Sequence, residues 1–99
     1  ERWLHFCSAE CGYDRETLET IGMKLAALNA RIANDVNLGR DYGVGHSFVT
    51  PRKSSKPLSG DETRKWFDAI IDTDLAPLLR EYWYDQPDVL EDALRELRA

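Results

Sequence analysis

Leu18, Ile21, Leu25, Leu28, Ile32 and Val36 recur at spacings of three and four. That rhythm follows the helical repeat of about 3.6 residues and predicts one amphipathic helix of about five turns. Asp14 stands ahead of it as a candidate N-cap, and Glu16 lies in the first turn, where an acid suits the helix dipole. Asn37 and Gly39 are read as its end. Gly22 interrupts the pattern; it lowers helix propensity by about 1 kcal/mol and leaves room for another element to come close. Asn29 sits at the edge of the stripe, one turn after Leu25. A polar amide there needs a hydrogen-bond partner, and a loop carbonyl is the simplest one.

Shorter patterns flank this helix. Arg2 to Cys11 reads as a helix with Trp3, Leu4, Phe6, Cys7 and Cys11 towards one side, stopped by Gly12. The pattern opens abruptly, so these aromatic residues are candidates to face a neighbour outside this chain. Downstream, Ser59 and Glu62 form the spacing of a capping box. Trp66, Phe67, Ile70 and Ile71 then share a face. Thr73 or Asp74 is read as the cap of a further helix with Pro77 in its first turn, which puts a break near residues 72–75. Leu75, Leu78, Leu79, Tyr82 and Trp83 carry the apolar face onward. Asp85 is read as the last cap, followed by Pro87 and the stripe Val89, Leu90, Ala93, Leu94 and Leu97. The fold class is all-α, with four or five helices in one domain over 1–99 and a short extended piece near Ser47–Thr50.

Between the two helical halves lies Leu38–Pro51, which has no helical period. It holds three of the six glycines, at 39, 43 and 45, and one of the two histidines. Glycine accepts backbone conformations that other residues resist, and long specific connections often carry function. Packing of Tyr42, Val44 and Phe48 on the core is the plainer reading, and both stand at this point. The following Arg52, Lys53 and Lys56 read as an exposed loop that offers at most a weak nucleic-acid contact.

Composition narrows the function classes. The chain has 99 residues, 42% hydrophobic and 31% charged, with a formal net charge of −5. This suits one small globular domain, and it argues against a surface built for nucleic-acid or membrane phosphates. No apolar run approaches the roughly 18 residues of a membrane span. No secretion leader is evident, so a reducing cytoplasm is the expected setting for Cys7 and Cys11. With His5 they form too small a set for zinc, which takes about four ligands in paired clusters; no metal site is expected. A chain opening on Glu1 in mid-pattern is expected to be a piece of a longer protein.

The chemistry of an independent enzyme is missing. There is no phosphate loop, and Gly43-Val44-Gly45 lacks the third glycine and preceding strand of a dinucleotide fingerprint. His46-Ser47 has no acid placed to orient it as a base–nucleophile pair. No catalytic residue is therefore assigned.

Three stretches nevertheless fall in a distinctive order: Leu28-Asn29-Ala30-Arg31-Ile32, Tyr42-Gly43-Val44-Gly45-His46-Ser47-Phe48, and Pro77-Leu78-Leu79-Arg80-Glu81-Tyr82-Trp83-Tyr84-Asp85. Together they resemble the C-terminal part of McrB-type AAA+ proteins, the NTP-hydrolysing subunits of 5-methylcytosine-dependent restriction systems. The resemblance runs from about Leu18 to Leu94. Val44, Phe48, Val49 and Trp83 depart from the usual residues by apolar or aromatic exchange, which packing tolerates. Loss of a tyrosine at 48–49 puts in doubt any role that needed its hydroxyl.

The resemblance implies an AAA+ lid, the small helical subdomain following an α/β nucleotide-binding core that would lie upstream. The lid alone would bind no cofactor; the parent protein would use GTP or ATP with Mg. Its partners would be its own core, neighbouring subunits of a hexameric ring, a McrC-type nuclease, and DNA through the full assembly. By the same analogy Gly45, His46 and Ser47 would face the nucleotide or a subunit interface, with Arg31 and Arg40 as sensor-like arginines. Surface ion pairs are the plainer reading of both arginines. The rival function is a free-standing helical adaptor that binds a partner helix through Trp66, Phe67, Tyr82 and Trp83.

Overall fold

A computed structural model describes residues 2–51, 54 and 56–99, with the side chains of Arg40, Ser47 and Phe48 outside the description. Helix α1 (Arg2–His5) runs on as a π-helical turn over Phe6–Glu10. Helix α2 spans Arg15–Ala33, α3 Gly60–Ile70, α4 Ala76–Tyr82 and α5 Pro87–Arg98. Two short 3-10 turns, Arg40–Tyr42 and His46–Val49, lie in the connection between α2 and α3. Among the described residues there is no strand, so the all-α expectation holds. The expected extended piece at 47–50 is instead mostly 3-10 turn, with only Thr50 extended at its end.

Helix α2 is the axis of the molecule. It contacts α1, α3, α5 and the Arg40–Tyr42 turn, and Leu18, Ile21, Leu25, Leu28 and Ile32 on its inner face are all buried. Its start follows the expected chemistry: the Asp14 carboxylate accepts from the Thr17 N–H at 3.0 Å and from the Thr17 hydroxyl at 2.7 Å. Its end does not. The helix closes at Ala33 with Asn34 as C-cap, and Val36 is 97% exposed rather than the sixth member of the stripe. The cause lies in Asp35, whose carboxylate accepts from the Asn37 N–H at 2.8 Å and from the Trp83 indole N–H at 2.8 Å. Such side-chain bonds offer the backbone an alternative to the helix. The turn closes when the Gly39 N–H donates to the Ile32 carbonyl at 3.2 Å, with Gly39 at φ +95°.

Helices α3 and α4 are one continuous run rather than two capped helices. Ser59 and Glu62 form the reciprocal capping box that opens it. Thr73 and Asp74 do not cap anything; the Thr73 hydroxyl donates back to the Ala69 carbonyl at 2.9 Å. In place of a break, Ile71–Leu75 form a π-helical turn, and the Ala76 N–H reaches back five residues to Ile71. Two needs explain it. Pro77 has no N–H to continue an α-helical ladder. Phe67, Ile71, Leu75, Leu79 and Trp83 are each four residues apart and each 0% exposed. In a pure α-helix that stripe would drift by about 40° at every step. A wider turn takes up the surplus and keeps all five in the core.

The remaining differences are local. Gln86, not Asp85, is the N-cap of α5, and it makes no side-chain cap bond. Trp3 does not wait for an outside neighbour: it is buried, and its indole N–H donates to the Val49 carbonyl at 3.2 Å. Phe67 and Trp83 are likewise in the core, with Trp66 and Tyr82 partly buried against it. The aromatic face required by the adaptor reading is therefore occupied by the chain's own packing.

A Cβ built on Gly22 would lie 3.5 Å from Cζ3 of Trp3, ordinary van der Waals contact. Gly22→Ala should therefore stabilise the fold by about 0.5–1 kcal/mol, read as a higher midpoint in chemical denaturation; a lower midpoint would mean the Trp3 contact is tighter than this geometry. Acid should act in the opposite sense. Bonds from the Thr17 hydroxyl and N–H hold Asp14 below the usual carboxylate range, the Trp83 indole does so chiefly for Asp35, and the Ser59 N–H for Glu62. Because these folded-state values are lowered, their contribution is complete above about pH 4 and is lost as pH falls through them. Thermal melts should be insensitive to these groups between neutral pH and about pH 5. Below about pH 4 they should fall, with less loss in Asp35→Asn.

Candidate functional site

The connection between α2 and α3 is anchored at its middle by one side chain. Asn29, on α2, donates from Nδ2 to the Val44 carbonyl at 2.9 Å and accepts the Val44 N–H on Oδ1 at 2.6 Å. A planar amide offers a donor and an acceptor side by side, so it pairs with a backbone residue as a neighbouring strand would. The Val44 side chain is buried in the core. Val44 is thus held by backbone and side chain together, while Gly43 and Gly45 on either side are exposed. The expected loop carbonyl is there, and the loop N–H comes with it.

Gly45 lies in ordinary extended backbone at φ −80°, ψ 163°, and among the described residues only Gly12 and Gly39 have positive φ. Backbone conformation accounts for Gly39 and does not account for glycine at 43 or 45. After Gly45 the chain enters the 3-10 turn of His46–Val49, closed by the Thr50 hydroxyl donating to the His46 carbonyl at 2.7 Å. The His46 ring lies nearly parallel on Trp3, with centroids 5.0 Å apart and planes 17° apart. His46 is exposed, so one face of the imidazole is packed and its edge is available to solvent. Beside it runs a groove of about 430 Å³ bordered by Trp3, Leu4, Gly22, Met23, Ala26 and His46.

The other expected site residues fall elsewhere or outside the description. Arg31 is two residues from Asn29, about 200° around α2, and its Nη2 pairs with Glu96 of α5 at 2.9 Å. The structure does not bring it to the Gly45–His46 loop. Arg40 begins the first 3-10 turn and Ser47 lies within the second, but both side chains are outside the description. Arg52 and Lys53, named for the weak nucleic-acid contact, are outside it altogether; Lys56 is exposed. Cys7 and Cys11 are buried and Cys11 Sγ approaches the Pro51 carbonyl at 3.7 Å, whereas His5 is exposed. No group of three or more His, Cys, Asp or Glu able to hold a metal occurs among the described residues.

Two anchors escaped the sequence reading. The Trp83 indole binds Asp35 at the start of the connection, and the Trp3 indole binds Val49 beyond the His46 turn. Their signal was present in kind, since a buried indole N–H seeks an acceptor, but the acceptors lie 48 and 46 residues away in sequence. With Tyr42 edge-on to Tyr82 at 5.5 Å, the three stretches that carried the resemblance meet at one end of α2.

Asn29→Ala should cost about 2 kcal/mol, because it leaves the donor and acceptor of Val44 unpaired in a partly buried place. Amide hydrogen exchange at 43–46 should speed up in the same variant. Unchanged exchange there would show that the clamp does not set the loop.

Comparison with known proteins agrees with this arrangement. Residues 20–91 match the family model described as McrB, alpha-helical lid domain. A relative described as the type IV methyl-directed restriction enzyme EcoKMcrB subunit, from Escherichia coli (strain K12), is 32% identical over 71 residues. That match covers 71% of this chain and 15% of the relative's length. No solved structure matches. Asn29, Val44, His46, Tyr82 and Trp83 all fall inside the matched span, and the chain belongs to the McrB alpha-helical lid family.

Proposed function

We propose that this lid couples the nucleotide state of an AAA+ NTPase to contacts within a ring, in the service of DNA restriction. The carrying observation is the Gly45–Ser47 loop. It is exposed at Gly45 and His46 yet pinned on both sides, by Asn29 at Val44 and by Trp3 at Val49. A rigid exposed loop can transmit a contact to the helices behind it without the entropy loss of ordering a flexible one. Glycine at 43 and 45 would let a ligand or a neighbouring backbone come close. His46 would supply a hydrogen-bonding edge towards phosphate, base or partner, and no nucleophile is required of it.

On this reading GTP or ATP with Mg is held mainly by an α/β core outside this chain. The neighbouring subunits of a hexameric ring, a McrC-type nuclease subunit and DNA engage the full cytoplasmic assembly. The Escherichia coli relative's description as a subunit of a methyl-directed restriction enzyme supports the setting. No helix among the described residues is long and apolar enough to cross a membrane. Arg31 would act on the α5 side through Glu96, away from the loop.

The 99 residues alone should neither bind nor turn over GTP or ATP appreciably, and strong turnover by them would sink the proposal. In the longer protein that carries this lid, His46→Ala should lower NTP turnover or ring assembly by roughly tenfold, the scale of one lost hydrogen bond in a site. Unchanged turnover together with unchanged assembly would remove His46 from the mechanism.

A further inference from the structure

A second exposed surface lies at the opposite side of the Asn29 clamp from His46, where the end of α2 meets the end of α4. Val36, Tyr42 and Tyr84 are 97%, 46% and 81% exposed, and they are three of the four large apolar residues so placed among the described residues. The segments that carry them are tied to one another from beneath. Tyr42 packs edge-on against Tyr82 at 5.5 Å. Asp35, next to Val36, accepts from the indole of Trp83, next to Tyr84. A turn closed by the Gln86 N–H on the Trp83 carbonyl at 3.0 Å carries Tyr84 and Asp85 at its two central positions. Burial is not what keeps these side chains here, since Tyr84 touches little and Val36 almost nothing.

The charges next to them that the structure describes are acidic. Asp35 adjoins Val36, Asp41 adjoins Tyr42, Asp85 adjoins Tyr84, and Glu81 precedes Tyr82. The arginines that the structure pairs, Arg15, Arg31, Arg64, Arg95 and Arg98, are tied to carboxylates elsewhere. Arg80 lies about 200° around α4 from Tyr82, on the other side. Arg40 adjoins the patch in sequence, with its side chain outside the description. Exposed tyrosines with acidic neighbours suit a guanidinium, which stacks on an aromatic ring while its fork binds an acid.

We propose that the Val36–Tyr42–Tyr84 corner is a docking surface for an arginine-bearing segment of a partner protein, seated by stacking on the tyrosines and by the carboxylates around them. This surface is separate from the Gly45–Ser47 loop and does not depend on the function proposed for it.

The test is a titration of the isotope-labelled 99-residue chain, followed by amide NMR, with a glycine/serine peptide carrying arginines. Matched peptides carrying lysines or glutamates serve as comparisons. Shifts should concentrate at 35–42 and 81–85, and the arginine peptide should bind several-fold more tightly than the lysine one. Tyr84→Ala and Tyr42→Ala should each weaken binding roughly threefold to tenfold, the range of a cation–π contact. Tyr84 is too exposed for its truncation to unfold the chain, so a loss there reads as lost docking. Equal shifts along the acidic face of α5 around Asp88 and Asp92, with no effect of either tyrosine, would overturn the proposal as simple charge attraction. Concentration-dependent shifts at the same residues without peptide would overturn it in favour of a second copy of the chain.

Discussion

Two buried indoles cannot leave their N–H groups unpaired, and that constraint shapes the connection on which the proposed function rests. Trp83 finds the Asp35 carboxylate and Trp3 finds the Val49 carbonyl. Those two acceptors bracket the first part of the connection between α2 and α3, and Asn29 holds Val44 between them. Fifteen residues that lack a helical period are thereby fixed at three points, each point a hydrogen bond or pair of bonds from a helix or from the α4–α5 corner. The helices form the core, and the polar groups of that core hold the loop in place.

The π-helical turns serve the same end. At Ile71–Leu75 the wider turn keeps a strict four-residue stripe buried through Pro77, and the last member of that stripe is Trp83. Without it the indole would be rotated away from Asp35. At Phe6–Glu10 the turn ends at Cys11 and Gly12, whose φ of +81° lets the Tyr13 N–H reach the Cys7 carbonyl at 3.0 Å. Trp3 is thereby left packed beside Gly22 and under His46. A lid that relays contacts needs this kind of rigidity, because a contact at an exposed loop moves the helices only if the loop cannot yield.

The two exposed surfaces differ in chemistry as well as place. Around His46 lie mostly small and apolar groups, Gly22, Met23 and Ala26, with Glu19, beside one imidazole. At the other corner lie tyrosines among carboxylates. Arg31, between them on α2, is engaged with Glu96 and ties α2 to α5. One small domain thus presents two unlike faces on a single helical axis.

Much of this was determined by local sequence. The α2 stripe, the Asp14 cap, the Ser59–Glu62 capping box and the Gly12 stop depend on residues within about one turn of each other, and they appear as expected. Asn29 announced a partner because a polar amide beside an apolar stripe must have one. Tertiary structure decided the rest. Val36 left the stripe because Trp83, far along the chain, claimed Asp35 and ended the helix early. Asp85 lost its role as a cap to Gln86 because the chain turns at Trp83–Gln86, and Pro77 met a π turn rather than a break because the five-residue stripe had to stay buried. The Gly45–Ser47 loop was visible in sequence as a glycine-bearing stretch. What made it a held, outward-facing element was the pairing of Asn29, Trp3 and Trp83 with distant backbone and carboxylate groups, which no local pattern specifies.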